Sequence, residues 1–230
     1  MLGVDGNASG PPFPLQRTRD GGATWEGAGS APVAGVISAR TPKEVWLARS
    51  DFRRPQQLYL TRDGGRTWGR RVLPPPRTWS GARLFPDVPT FFGARGVLPV
   101  TVNRGKRAAV AFYVTGDGGR TWRLGSVRPV DSSITDSRSP FVRYVPTSIV
   151  SPNVWWIAEG RTHPFVTVTT NAGKSWRVSV PSHPLHAAPG EISATDAQHG
   201  WLTTWSPNNR VLYTTSDGGE TWSRLSLPPT

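Results

Sequence analysis

Five short segments place a carboxylate or amide two residues before a glycine and five before a tryptophan. They read TRDGGATW from Thr18, TRDGGRTW from Thr61, TGDGGRTW from Thr115, TTNAGKSW from Thr169 and TSDGGETW from Thr215. Carboxylates in such number could ligate a cation or serve as acid and base on a sugar. The spacing argues for another role. Asp or Asn opening a glycine-rich turn accepts backbone N–H groups two residues on. A glycine recurring at one position, as at Gly22, Gly65, Gly119, Gly173 and Gly219, suits a backbone angle that side chains disfavour. Asp20, Asp63, Asp117, Asn171 and Asp217 are therefore read as scaffold. Trp25, Trp68, Trp122, Trp176 and Trp222 are read as packing residues on the outgoing strand, and Trp68, Trp122 and Trp222 are expected to be mostly buried.

Other residues with chemical potential are fewer. His183 and His186 lie three apart on a proline-bounded loop with no evident third ligand, so no metal site is expected. Trp155 and Trp156 could stack on a sugar. Neighbours in a strand point to opposite faces, so at least one belongs to the core. Glycine pairs lie between strands, with no helix to receive a phosphate, so no nucleotide cofactor is expected. The chain has no Cys, which removes disulfides and thiol chemistry. Arg outnumbers Lys 24 to 3, and the net charge is +12. Planar guanidinium forks suit carboxylates, sulfates and phosphates. No nucleic-acid motif accompanies the charge, so nucleic acid is the less favoured partner.

These residues need a frame. The chain has 230 residues, 11 Trp, 8 Phe and 4 Tyr, which supply the apolar area of a folded protein. The repeated Asp or Asn positions are 43, 54, 54 and 46 residues apart. That period accommodates four short strands and their turns. A second repeat precedes the turns: ISARTPKEVWLARS from Ile37, SIVSPNVWWIAEG from Ser148, ISATDAQHGWLTTW from Ile192, and a degenerate TFFGARGVLPVTV from Thr90. Each reads as strand, turn, strand. No sustained 3.6-residue apolar period occurs, so helix should be nearly absent. No run approaches the ~18 apolar residues that span a bilayer, and the first residues do not form a signal peptide.

The predicted fold is all-β: a single β-propeller of about five four-stranded blades, over residues 1–30, 31–76, 77–130, 131–182 and 183–230. The strands of each are A to D in chain order, with the repeated turn between C and D. Met1 falls where a strand B should start, so the first blade is expected to be incomplete and the chain a fragment, unless the N-terminal segment closes the ring imperfectly. Arg53, Arg54, Arg104, Arg107, Arg161 and Arg210 fall on B–C connections, which share one side of a propeller.

The five turns resemble Asp-boxes, also called BNR repeats, of sialidases, sortilin-type receptors, xyloglucanases and Ycf48-like assembly factors. The rhythm from Asp196 to Trp222 is most similar to bacterial Ycf48-like proteins. The resemblance implies a structural turn and, for Ycf48-like chains, an extracytoplasmic location. A sialidase reading fits less well. Phe52-Arg53-Arg54-Pro55 resembles the sialidase F-R-I-P phrase but sits on a B–C loop, eight residues before Asp63, where that phrase does not belong. Asp51 and Glu159 share the same side, yet solvated acids often do. The expected function is a non-enzymatic recognition or assembly module that binds a protein or an anionic glycan through the arginine-bearing face. The alternative is a glycoside hydrolase of sialidase or xyloglucanase type.

Overall fold

The structure, a computed structural model, describes residues 2–4, 12–49, 55–131, 145–185, 187–206 and 209–225. They form a chain of antiparallel meanders. The N-terminal sheet has three strands: β1 (Leu2–Val4), β2 (Phe13–Arg17) and β3 (Glu26–Ala31). The second runs through β4 (Gly35–Ala39), β5 (Val45–Arg49), β6 (Leu58–Thr61) and β7 (Gly69–Arg71). The third comprises β8 (Arg83–Pro86), β9 (Thr90–Phe92), β10 (Arg95–Arg104), β11 (Arg107–Thr115) and β12 (Arg123–Val130). The fourth is β13 (Thr147–Ile149), β14 (Trp155–Glu159), β15 (Phe165–Thr169) and β16 (Arg177–Ser179). The fifth is β17 (Ala188–Ala194), β18 (Gly200–Ser206), β19 (Asn209–Thr215) and β20 (Ser223–Leu225).

The expectation of about five four-stranded blades is corrected to four complete blades beside a three-stranded N-terminal sheet. In that sheet β1 pairs β2, and no described strand pairs the other edge of β1. The third blade departs from the repeat in another way. Its first strand is split into β8 and β9, both pairing β10. Pro86 and Pro89 flank the break, and a proline has no N–H to give a ladder. One short 3-10 turn, Arg77–Trp79, is the helix assigned among the described residues.

The two sequence repeats meet in space. In each complete blade the residue after the turn Asp or Asn donates its N–H to a carbonyl in that blade's A–B turn. The pairs are Gly64 to Lys43 (3.0 Å), Gly118 to Ala94 (2.8 Å), Ala172 to Asn153 (3.0 Å) and Gly218 to Gln198 (2.8 Å). A short polar side chain shapes three of those A–B turns: Thr41, Ser151 and Asp196 each accept two following backbone N–H groups. Strand alternation sends successive side chains to the two neighbouring sheets. Leu47 therefore packs with Leu15 of the N-terminal sheet, whereas Trp46 and Ala48 pack with Leu98, Val100 and Tyr113 of the third blade. The core is a series of such layers between sheets.

Candidate functional site

Meander topology puts the A–B and C–D turns at one end of every sheet and the B–C and D–A connections at the other. At the turn end the repeated carboxylates are engaged by the turns themselves. Asp63 Oδ1 accepts from Thr61 Oγ1 (2.7 Å), Arg66 N (3.0 Å) and Thr67 N (2.9 Å), and Oδ2 accepts from Thr67 Oγ1 (2.6 Å). Thr61 Oγ1 in turn accepts from Gly65 N (2.9 Å). Asp117 and Asp217 repeat the carboxylate part of this network, and Asp20 repeats its bonds from Thr18 and Thr24. The threonine hydroxyls and amides hold the carboxyls of Asp20, Asp63 and Asp117 well below the usual range. At Asp217, burial pushes upward, but the bonds from Thr221 and Thr215 prevail and leave it at about 2. Asn171 fills the same position with an amide: Oδ1 accepts from Ser175 N (2.9 Å) and Nδ2 donates to Ser175 Oγ (2.8 Å). A position that works without charge organises a turn.

The turn tryptophans sit otherwise than expected. Trp68, Trp122, Trp176 and Trp222 are half-buried rather than mostly buried, and Trp25 is 45% exposed. The rings of Trp68, Trp122, Trp176 and Trp222 lie at the rim between two sheets, so one edge stays wet. Trp122, for example, meets Trp46 of the preceding blade edge-on, with centroids 5.7 Å apart. Trp25 belongs to the N-terminal sheet, which has no described sheet preceding it. Trp155 and Trp156 are both fully buried, so neither offers a sugar platform.

Charge divides between the two ends. Glu44, Asp63, Asp117, Asp196, Asp217 and Glu220 all lie on the turn end, and the ion pairs formed between described residues lie there too. Arg17 and Arg19 hold Glu26, Arg40 and Arg62 hold Glu44, and Arg177 reaches from the fourth blade to Glu220 in the fifth (3.0 Å). The opposite end is cationic. At the tip of the third blade, Arg104 and Arg107 are cross-strand neighbours with Lys106 between them, and all three are exposed. Arg107 lies 4.9 Å over the ring of buried Trp79, and Arg83 lies 5.3 Å over Phe85. Arg77 stands exposed in the D–A connection beside them. The described residues of the B–C and D–A connections contain one acid, Asp131.

Not every expected arginine joins this cluster. Arg104 and Arg107 do. Arg161 is exposed on the β14–β15 connection of the fourth blade, and it has an interaction partner. Arg210 lies within β19, 3.9 Å over Trp205 of the fifth blade. Arg53 and Arg54 lie outside the described residues, as do Asp51 and His186. Sequence reading missed Arg77, Arg83 and Lys106. The D–A connections share their end of the sheet with the B–C connections, and that rule alone would have found the two arginines.

The buried carboxyl at this end is Glu159, only 2% exposed. Burial pushes it above its ordinary value, against a bond from Thr167 Oγ1 (2.7 Å) to one oxygen and one from Asp131 N (3.2 Å) to the other. One oxygen is held within the fourth blade, and the other ties that blade to the chain entering it. Among the described residues no three His, Asp or Glu side chains converge as a metal site would require.

An all-β propeller with one cationic end, and a turn end where acids and arginines are interspersed, is thus the class that the geometry defines. No protein-family model matches the chain, and no curated protein matches it. Solved structures share the fold. The chain is similar to the GH74 xyloglucanase from Xanthomonas campestris, with a TM-score of 0.57 and 15% identity over 97% of this chain and 36% of that one. It therefore spans about a third of that enzyme's length. It is also similar to a PL25 polysaccharide lyase, an ulvan lyase, with a TM-score of 0.56 and 14% identity over 93% of this chain and 60% of that one. YCF48 bound to a D1 peptide aligns over 82% of this chain and 80% of that one, with 16% identity and a TM-score of 0.39. No helix among the described residues is long and apolar enough to cross a membrane.

Proposed function

We propose that this chain is a non-enzymatic recognition module of the Asp-box propeller type, which holds an anionic glycan on its B–C end. One observation carries the reading: acids and ion pairs gather on the turn end, while Arg77, Arg104, Lys106 and Arg107 stand on the other among connections with a single described acid. Several guanidinium forks on neighbouring strands can each grip a sulfate or carboxylate in two-point fashion, and weak grips on one polymer add. Stacking of Arg107 on Trp79 fixes its fork and lowers the entropy cost of binding. The polysaccharide-acting neighbours of this fold support a glycan over an acidic protein. Asp63 and its counterparts act as struts, and Arg161 and Arg210 extend the same end. The location proposed is extracytoplasmic, where such polymers are met. The glycosidase alternative draws no support from Glu159, whose oxygens are engaged inside the protein.

Binding of a heparin-type sulfated oligosaccharide tests this. Arg104→Glu with Lys106→Glu should weaken it by about tenfold or more, the equivalent of two charge-assisted contacts. Arg66→Glu with Arg120→Glu makes the same charge change on the turn end and should leave affinity within a few-fold of the original. Equal loss in both pairs would mean that net charge alone is sensed. Binding of an acidic protein but of no sulfated or carboxylated glycan would give the site to the other class of partner.

A further inference from the structure

Gln56 holds its backbone in the left-handed region, with φ +57°, where side chains other than Asn or Asp seldom stand. Strain of that kind persists where the surroundings over-determine it, and it gathers at working sites. The residue lies just before β6, in the B–C connection of the second blade. Its hydrogen bonds reach three elements. The backbone N–H donates to Leu84 O in β8 (2.8 Å). Nε2 donates to Leu73 O (2.9 Å) and Oε1 accepts from Leu73 N (3.3 Å), so the amide pairs with Leu73 as a neighbouring strand would. The carbonyl accepts from Arg70 Nε in β7 (3.0 Å).

Leu73 and Leu84 stand at the two ends of the D–A connection between the second and third blades, so Gln56 binds both ends of one loop. Between them lie Arg77 and Trp79, the ring that carries Arg107 at 4.9 Å, and Arg83 adjoins Leu84. Inside the loop Tyr113 OH donates to Pro74 O. The 3-10 turn closes with Trp79 N to Pro76 O (2.8 Å), followed by Ala82 N to Trp79 O (3.0 Å). A loop fixed at its base and along its length meets a ligand with its cations already placed. We propose that Gln56 is the positioning residue of the cationic end. Its amide and backbone N–H clasp the base of the D–A connection and set the stance of Arg77 and of the Trp79 platform under Arg107. This role rests on the reading of that end as the binding site. Glycine would take this φ without strain. What glycine would lack is the amide that holds Leu73.

Gln56→Gly suits the φ and removes the amide. In the folded chain, trypsin cleavage after Arg77 should then rise about tenfold, since the rate follows the population of the open loop. Cleavage after the exposed Arg66 and Arg120 of the turn end should not change. Affinity for the heparin-type sulfated oligosaccharide should fall about tenfold, with its salt dependence unaltered because no charge has been removed. The melting temperature should move by no more than about 5 °C. Gln56→Glu supplies a rescue. At pH 7 its carboxylate faces the Leu73 carbonyl, and it should behave as the glycine variant does. Burial beside that carbonyl favours the protonated acid, so at about pH 4 the carboxyl can donate to Leu73 O again. Its affinity should then return to within about twofold of the original chain's at the same pH. Unchanged cleavage after Arg77 in both variants overturns the clasp, as does an affinity loss that persists for Gln56→Glu at pH 4. A far larger fall in melting temperature would make Gln56 a general stabilising residue and overturn it too. If the original chain binds no sulfated oligosaccharide, the glycan reading falls, and cleavage after Arg77 alone decides the clasp.

Discussion

Trp46→Ala is expected to destabilise the protein by about 3–5 kcal/mol, the cost of removing a fully buried large aromatic from a packed core. Trp46 is 1% exposed and lies 5.7 Å from Trp122 and 6.2 Å from Phe91, so its ring joins two blades. In a domain of this size that loss should lower the melting temperature by roughly 8–16 °C. Trp122→Ala should cost less, because its ring is half in water, and Trp25→Ala should cost least. Thermal unfolding of the three variants ranks them. Equal losses at Trp46 and Trp25 would show that the interblade layers do not carry the stability assigned to them.

Asp87→Asn is expected to stabilise the protein above neutral pH by up to about 4 kcal/mol, with the gain vanishing toward pH 4. Asp87 follows β8, where the first strand of the third blade breaks. Burial pushes its carboxyl up to about 7, opposed only by the bond from Val88 N to Oδ1 (2.7 Å). Its folded value therefore lies above the ordinary carboxylate value. Such a group contributes stability that is present below the unfolded value and lost as pH rises through the folded one. Asparagine keeps the acceptor for Val88 N and cannot ionise. An edge of the residue reaches the surface, so water relieves part of the penalty and the figure is an upper bound. Denaturant unfolding of both chains at pH 4 and pH 8 checks it. A difference that does not change with pH would show that Asp87 is well solvated.

Much of this architecture was legible because its turns are chemically demanding. Only a threonine, a short acceptor and a glycine at fixed offsets make the network around Asp63, so the sequence repeats them. Gly65 has φ +99°, and a side chain there would also run into Leu15 and the Ala28 carbonyl. The A–B turns were visible as a strand–turn–strand repeat, and Thr41, Ser151 and Asp196, each accepting two following N–H groups, account for it. The tryptophans were misjudged because repetition reports that a ring packs, not how much of it. Position at a rim decides that, and Trp25 shows the limit, since its exposure depends on the sheet beside it. The break at Asp87 was illegible in a degenerate repeat. The cationic end was half legible: Arg104 and Arg107 follow from counting strands, whereas Arg77 and Arg83 required the return connections to be assigned to the same end. The arginines on Trp79 and Phe85 are contacts between elements, which spacing along one strand does not encode.

Calorimetric titration of the original chain with a sulfated oligosaccharide and with its desulfated counterpart, at low salt and at 0.15 M, addresses the proposed recognition role most directly. At 0.15 M the Debye length is about 8 Å, so exposed cations are substantially screened. The cationic end predicts binding of the sulfated form, weaker at the higher salt, and no measurable binding of the neutral one. Equal binding of both forms, or an affinity that salt does not change, would contradict it.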